Sequence, residues 1–169
     1  MMILNRLLNN RLSSKVLLRA ITIISLVGFA DTVYLTANHY LGTGIKCLLL
    51  EGCEIVLASP YSQVLGIPMA VIGLVFYVGI FILASMAEIY QNNLLVKFLV
   101  LGGTLGFAAS LVFLYIQIFI IGALCVYCLV SATSSTIIFI ATILLNKNIK
   151  ISTHDGSSPG QPERIGLVK

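Results

Sequence analysis

The sequence predicts an all-α integral membrane protein, an antiparallel bundle of four transmembrane helices with an extracytoplasmic loop between helices 1 and 2. Composition, long uncharged runs and the placement of basic residues all favour this fold. Of the 169 residues, 59% are hydrophobic and only 9% are charged, with a mean hydropathy of +1.05. Soluble domains carry about 25% charged residues. The composition therefore excludes a soluble globular domain.

Runs long enough to cross a bilayer occupy most of the chain, since a helix of about 20 apolar residues spans the hydrocarbon core. The run from Phe98 to Asn146 has no charge in 49 positions, so it must turn back, and Gly122 is the predicted break. Backbone polar groups must be satisfied inside the bilayer, which favours helices with short connections. We expect four spans, at about 16–40, 66–88, 97–118 and 125–146.

Basic residues give the orientation. Nine of the ten lie on one side of the four-span topology and only Lys46 on the other; the nine are Arg6, Arg11, Lys15, Arg19, Lys97, Lys147, Lys150, Arg164 and Lys169. The positive-inside rule places that side in the cytoplasm. We expect a cytoplasmic segment 1–15, a membrane domain 16–146 and a disordered cytoplasmic tail 147–169 in the inner (cytoplasmic) membrane. The net charge of +4 then reflects topology and does not indicate nucleic-acid binding.

Span one has a basic flank and a small-residue ending at Gly28 and Ala30, as a secretory signal has. Its apolar pattern continues past Asp31, so we expect the span to be retained. An acid inside a span is costly, and Asp31 is interpreted either as a hydrogen-bonding residue or as a proton-handling one.

Span three carries a stripe of small residues, Gly102, Gly106 and Ser110, at four-residue spacing. Small residues allow transmembrane helices to approach closely. This stripe predicts helix packing.

The four cysteines fall on the extracytoplasmic side: Cys47 and Cys53 in the first loop, and Cys125 and Cys128 where span four begins. That compartment is oxidising, so disulfide chemistry is expected rather than zinc binding, and no metal site is predicted. A C-x-x-C at a helix start places both sulfurs on one face and favours the thiolate of the first cysteine. A disulfide that closes so short a loop stabilises the folded chain only slightly. The second pair therefore indicates redox function.

The loop pair, with five residues between its cysteines, is ambiguous by itself. It could be a structural disulfide. Two pairs on one membrane face could instead exchange electrons through mixed disulfides, provided that their sulfurs meet.

Several motifs together resemble the vitamin K epoxide reductase (VKOR) family in its bacterial branch, over about residues 16–146. They are Cys47, Cys53, Ser59, the "GIP" at 66–68, the "GLVFY" at 73–77 and the C-x-x-C at 125–128. The order, with the loop pair first and the C-x-x-C on the last span, is that of VKOR proteins and differs from that of DsbB-type oxidases.

The resemblance implies a quinone-dependent, disulfide-forming oxidoreductase. A periplasmic thioredoxin-fold (DsbA-like) protein would pass electrons to Cys47 and Cys53, then to Cys125 and Cys128, then to a membrane quinone such as menaquinone or ubiquinone. By family position, Cys128 faces the quinone, Cys125 exchanges with the loop, and Ser59 lies near the quinone. Cys47 is the preferred partner-facing cysteine, and Cys53 the preferred link to Cys125.

The sequence departs from the vertebrate pattern at two positions. An asparagine and a tyrosine that hold quinone oxygens there are matched here by Met69 and Ala132, which argues against epoxide reduction. Met69, Phe113, Ala132 and the apolar "IFII" segment are candidates for lining a quinone cavity.

The tail after Asn146 is too short for the fused thioredoxin-like domain of many bacterial members. The redox partner is therefore expected to be a separate protein. The alternative function is a non-enzymatic four-helix transporter or assembly factor with two structural disulfides.

Overall fold

The computed structural model describes residues 2–42, 52–90 and 92–155, with side chains described at 13–42, 52–90 and 92–148. Four long helices dominate: α1 (Met2–Leu41), α3 (Met69–Tyr90), α4 (Asn93–Tyr115) and α5 (Val126–Asp155). The first connection holds a short helix, α2 (Cys53–Ala58), a 3₁₀ turn (Pro60–Ser62) and an antiparallel hairpin, β1 (Gln63–Val64) and β2 (Ile67–Pro68). A π-helix (Ile116–Ile121) extends α4.

The long helices form a closed bundle in which α1 and α4 each contact both α3 and α5. Each contains a segment long and apolar enough to span a membrane: Ser13–Leu41, Met69–Tyr90, Asn93–Ile121 and Val126–Asn148. The predicted four-helix membrane bundle is confirmed. Gly122 ends the third span in a left-handed conformation with φ of 69°, which glycine adopts without steric cost, so the predicted break is also confirmed.

Helix ends differ from the hydropathy-based boundaries. α1 begins at Met2, so the predicted N-terminal segment 1–15 is helical over its described length, and α5 continues to Asp155. The start of the tail, residues 147–155, is therefore helical, contrary to the prediction of disorder. A helix satisfies its backbone hydrogen bonds within itself, so it can continue past the point where apolar sequence ends. The rest of the tail lies outside the described residues.

The small-residue stripe of α4 packs as predicted. A Cβ added at Gly102 would lie 2.9 Å from Cδ1 of Ile80, and one at Gly106 would overlap the ring of Phe76, so α3 occupies the space that both glycines leave. Ser110 faces α5 instead, where its hydroxyl lies 2.7 Å from that of Ser135. Close packing of three helices therefore depends on this stripe.

The basic end of the bundle lies opposite the cysteines. Arg19 Nε donates to Glu88 Oε1 at 3.0 Å, joining α1 to α3, and Asn148 Nδ2 donates to Ser13 Oγ at 3.3 Å, joining α5 to α1. Both pairs are exposed, and such surface pairs contribute about 0–1 kcal/mol each. Large apolar side chains, among them Ile23, Val75, Leu101 and Ile140, are exposed on the flanks of the bundle, as expected of surfaces that meet lipid tails.

Candidate redox site

The described part of the connection between the first two spans, residues 52–68, packs on the end of the bundle. Cys53 and Val56 of α2 are both fully buried, while the hairpin 63–68 leads directly into α3. The two residues of the hairpin turn, Leu65 and Gly66, have positive φ angles of 52° and 80°. A two-residue turn with this backbone matches the right-handed twist of the strands that it joins. Cys47 lies outside the described residues.

Gly52 sets the distance between α2 and the turn 122–125 that precedes α5. A Cβ at Gly52 would lie 2.6 Å from the carbonyl oxygen of Leu124 and 3.3 Å from Cβ of Ala123. Glycine is therefore needed here for close approach. The consequence is that Cys53, the next residue, shares one buried cluster with Cys125.

Cys125 occupies the N-cap position of α5. Its carbonyl accepts the first helical hydrogen bond, from Leu129 N–H at 3.1 Å, and its sulfur accepts hydrogen bonds from the backbone N–H groups of Tyr127 and Cys128. The first N–H groups of a helix have no partner within it, so a thiolate here satisfies groups that would otherwise be orphaned.

The pKa of the Cys125 thiol is lowered to about 7. The hydrogen bond from the Cys128 thiol is the largest cause; burial opposes it, and the two backbone N–H groups add to it. Cys125 is therefore the more acidic, nucleophilic member of the pair at neutral pH.

The cysteines have different covalent states in the described part of the chain. Cys53 is disulfide-bonded, whereas Cys125 and Cys128 are free thiols, Cys125 being fully buried and Cys128 partly buried. The disulfide of Cys53 therefore does not involve the C-x-x-C.

A cavity of about 300 Å³ lies inside the bundle beside Cys128. Its size is at the lower end of the range of about 300–1,000 Å³ for ligand pockets. Cys128 lines the cavity and Cys125 is not among the lining residues, so the two thiols face different surroundings. The lining residues are Thr32, Leu35, Met69, Ala70, Ile72, Gly73, Phe76, Tyr77, Leu105, Gly106, Ala109, Ser110, Phe113, Leu114, Gln117, Cys128, Ser131, Ala132 and Ser135.

Three of the four residues predicted for quinone binding, Met69, Phe113 and Ala132, line this cavity. Ser59 does not: it ends α2, and its hydroxyl donates to the Val56 carbonyl at 2.7 Å. This local bond satisfies the hydroxyl outside the cavity. A quinone role for any of the four stays a prediction.

Sequence comparison identifies the family. The profile described as the vitamin K epoxide reductase family matches residues 19–143. The chain belongs to this family. It is also similar to the thiol-disulfide oxidoreductase LTO1 of Arabidopsis thaliana, with 37% identity over 131 residues. That alignment covers 72% of this chain and 34% of the relative, so the chain spans about a third of that protein's length.

In this VKOR-family chain, the polar groups of the cavity come from residues that were not predicted as binding residues. The Tyr77 hydroxyl donates to the Ser131 carbonyl at 2.8 Å and lies 3.0 Å from the Ser131 hydroxyl. The other polar side chains that line the cavity, besides Cys128, are those of Thr32, Gln117, Ser110 and Ser135. Two signals were present in the sequence: Ser131 is one helical turn after Cys128, and Gln117 is the one carboxamide between Phe98 and Leu145.

Asp31 lies in α1, close enough that its charge acts on the Cys125 thiol. One of its carboxylate oxygens is buried without a hydrogen-bond partner among the described residues. The interpretation of Asp31 as a structural hydrogen-bonding residue therefore has no support at that oxygen. Its role in proton handling stays a hypothesis.

Proposed function

We propose that this protein is a membrane thiol-disulfide oxidoreductase that reoxidises a periplasmic, DsbA-like thioredoxin-fold protein and passes the electrons to a quinone. The supporting observation is the position of Cys125 between two environments. It shares a buried cluster with Cys53 on one side, and on the other its partner Cys128 lines the cavity. This order suits a relay that leads from the loop to the bundle interior.

The chemistry balances as two exchanges and one oxidation. The partner's dithiol reduces a Cys47–Cys53 disulfide, and the resulting loop dithiol reduces a Cys125–Cys128 disulfide; each step moves two electrons and two protons. The C-x-x-C dithiol then forms its disulfide again while the quinone gains two electrons and two protons and becomes a hydroquinone. The lowered pKa of Cys125 makes its thiolate a good leaving group when a loop cysteine displaces it from a mixed disulfide in the forward direction. In the reverse direction, the same thiolate can attack the loop disulfide.

The cavity is suited to a quinone ring by its apolar walls and its contact with Cys128. Met69, Phe113 and Ala132 supply apolar surface, and the Ser131 hydroxyl can donate to a quinone oxygen, because the Tyr77 hydroxyl already donates to the Ser131 carbonyl. Because Met69 and Ala132 cannot hydrogen-bond an oxygen with their side chains, we expect quinone reduction without epoxide reduction.

The relay also specifies a location. We assign the protein to the inner membrane, with the cysteine end in the periplasm and the basic end in the cytoplasm, since nine of the ten basic residues lie at that end in the predicted topology. The DsbA-like partner is then in the compartment where disulfides form.

The proposal is tested with purified protein, a reduced DsbA-like protein and a soluble quinone analogue. We expect oxidation of the partner only when the quinone is present, and loss of at least about 100-fold in rate for Cys125→Ala or Cys128→Ala, because each removes a thiol from the relay. Partner thiols and quinone absorbance are followed together, and two partner thiols should be lost for each quinone reduced.

Ser134→Ala is the matched control, because Ser134 is a small buried residue of the same helix that does not line the cavity. It should retain the wild-type rate. A transporter or assembly factor with structural disulfides would show no quinone-dependent oxidation of the partner in the wild type, and that result would reject the proposal.

A further inference from the structure

Gln117 is a fully buried carboxamide, 1% exposed, in the π-helix that ends the third span. Its neighbours Ile118, Phe119 and Ile120 are all exposed. A buried polar side chain in an apolar bundle needs hydrogen-bond partners, and π-helical turns often occur at functional positions. Its partners therefore indicate what it does.

Three of the four N–H groups in the turn 122–125 donate to this one residue. The backbone carbonyl of Gln117 accepts from Gly122 and from Ala123, the latter at 3.2 Å. Its side-chain Oε1 accepts from Cys125 N–H at 3.1 Å. Gln117 therefore holds both ends of the turn that connects the π-helix to α5.

The same side chain reaches the second cysteine. The Gln117 amide is within hydrogen-bonding range of the Cys128 thiol, and Gln117 lines the cavity next to it. Its oxygen is thus committed to the Cys125 backbone, while its amide group faces the Cys128 side chain across the same cavity wall.

We infer that Gln117 is the positioning residue of the C-x-x-C: by holding the Cys125 backbone and the Cys128 thiol together, it fixes the geometry in which the two sulfurs interact. Gln117 acts through the cysteines and is not assigned to the transfer of electrons. The inference rests on the proposed redox function of the pair.

The geometry gives a physical reason for this role. The Cys125 sulfur must meet three donors at once: the Cys128 thiol and the N–H groups of Tyr127 and Cys128. Cys125 lies in the coil just before α5, so its conformation is not fixed by helical hydrogen bonds to its own N–H. The Gln117 oxygen supplies that missing bond. Without it, we expect the sulfur to sample positions in which fewer donors stabilise the thiolate.

Two substitutions distinguish the effect of the side-chain hydrogen-bond acceptor from the effect of side-chain size. Gln117→Met keeps the length and removes the acceptor, whereas Gln117→Glu keeps an acceptor for Cys125 N–H. Thr142→Val is the matched control, because Thr142 is a fully buried polar residue of α5 that does not line the cavity. All variants are prepared as full-length reduced protein in detergent, and their melting curves are recorded.

The primary readouts are amide hydrogen exchange at Cys125 and the rate of its alkylation at pH 7, both measured by mass spectrometry. For Gln117→Met we expect at least about ten-fold faster exchange and about five-fold slower alkylation, because the N–H bond is lost and a smaller fraction of the thiol is ionised. Gln117→Glu should restore slow exchange, and Thr142→Val should match the wild type in both.

If Gln117→Met changes both rates no more than Thr142→Val does, the positioning role is overturned. If the Cys125 amide exchanges as fast in Gln117→Glu as in Gln117→Met, the hydrogen bond to the side-chain oxygen does not fix the Cys125 backbone, and the inference also fails. Neither readout requires a quinone or a partner protein. Failure of quinone reduction by the wild type would therefore reject the proposed function separately from the role of Gln117.

Discussion

At the scale of single residues, the two cysteines of the C-x-x-C differ more than their spacing suggests. Cys125 is buried at a helix N-terminus and accepts several hydrogen bonds, while Cys128 lines an apolar cavity. The sequence predicts that the helix start favours the thiolate of the first cysteine, and the pKa of Cys125 is indeed lowered. The largest cause is the Cys128 thiol, however, with the helix N–H groups second.

The pH dependence of Cys125 alkylation follows from this pKa. In the reduced protein, the rate should fall below about pH 7 as the thiolate is protonated, and rise toward a plateau above it. Cys128→Ala should move the midpoint to higher pH, because it removes the largest stabilising hydrogen bond. The measurement is mass spectrometry of the Cys125 peptide after short exposure to iodoacetamide at a series of pH values.

Cys128→Ser is the control for this experiment, because its hydroxyl can still donate to the Cys125 sulfur. Its midpoint should lie below that of Cys128→Ala, because a hydroxyl donates a hydrogen bond at least as strongly as a thiol. An unchanged midpoint in Cys128→Ala would show that the helix N-terminus alone lowers the pKa.

At the scale of elements, the site depends on how α2 rests on the turn before α5. The contact is backbone to backbone: the space of a Gly52 side chain is occupied by the Leu124 carbonyl. A carbonyl of a tight turn cannot rotate away as a flexible side chain can. A methyl group at this position must therefore move α2, and Cys53 with it.

We predict that Gly52→Ala slows transfer between the two cysteine pairs by about ten-fold or more, since misplacement of reacting groups by about 1 Å can cost up to about 100-fold. Turnover with the reduced DsbA-like partner and quinone should fall. Quinone reduction driven by a small dithiol that reduces the C-x-x-C directly should not. The ratio of the two rates is the measured quantity.

Gly79→Ala is the matched control, because a Cβ at Gly79 meets nothing within 4 Å. Alanine is also more stable than glycine inside a helix, by about 1 kcal/mol, so this variant should fold at least as well as the wild type. Equal loss of both rates in Gly52→Ala would instead indicate damage to the whole bundle.

At the scale of the whole molecule, the proposed relay runs from the loop through the end of the bundle into its interior. All four long helices contribute residues to the cavity wall, and α2 packs on the turn 122–125 at the cysteine end of the bundle. The path requires one loop cysteine to reach Cys125. The buried cluster favours Cys53 for that step.

Paired cysteine substitutions test the path. Cys47→Ser with Cys128→Ser leaves Cys53 and Cys125, and we expect these to form a disulfide under mild oxidation, because both lie in one buried cluster. Cys53→Ser with Cys128→Ser leaves Cys47 and Cys125, which should crosslink much less. The products are identified by mass spectrometry of the intact and digested protein.

If the second variant crosslinks more efficiently than the first, the order of the loop cysteines is reversed. If neither forms a disulfide while the wild type still turns over, the two-pair relay itself is wrong.

Sequence alone determined the number of spans, the break at Gly122 and the end of the bundle at which the C-x-x-C lies. These follow from rules that the bilayer imposes on every chain, namely the length of an apolar run and satisfaction of the backbone within each helix. It also gave Met69, Phe113 and Ala132 as cavity candidates, through the family resemblance and the apolar pattern. Those three residues line the cavity.

Tertiary structure alone decided which helix faces meet, and thereby the chemistry of the cavity wall. An apolar span has no strong periodic signal that separates its lipid side from its interior side, because both are apolar. The inward position of Gln117, the Tyr77–Ser131 hydrogen bonds and the close contact of Gly52 with Leu124 therefore became evident only in the folded bundle. The placement of Ser59 outside the cavity has the same origin, since a residue in a loop takes its position from packing rather than from its own pattern.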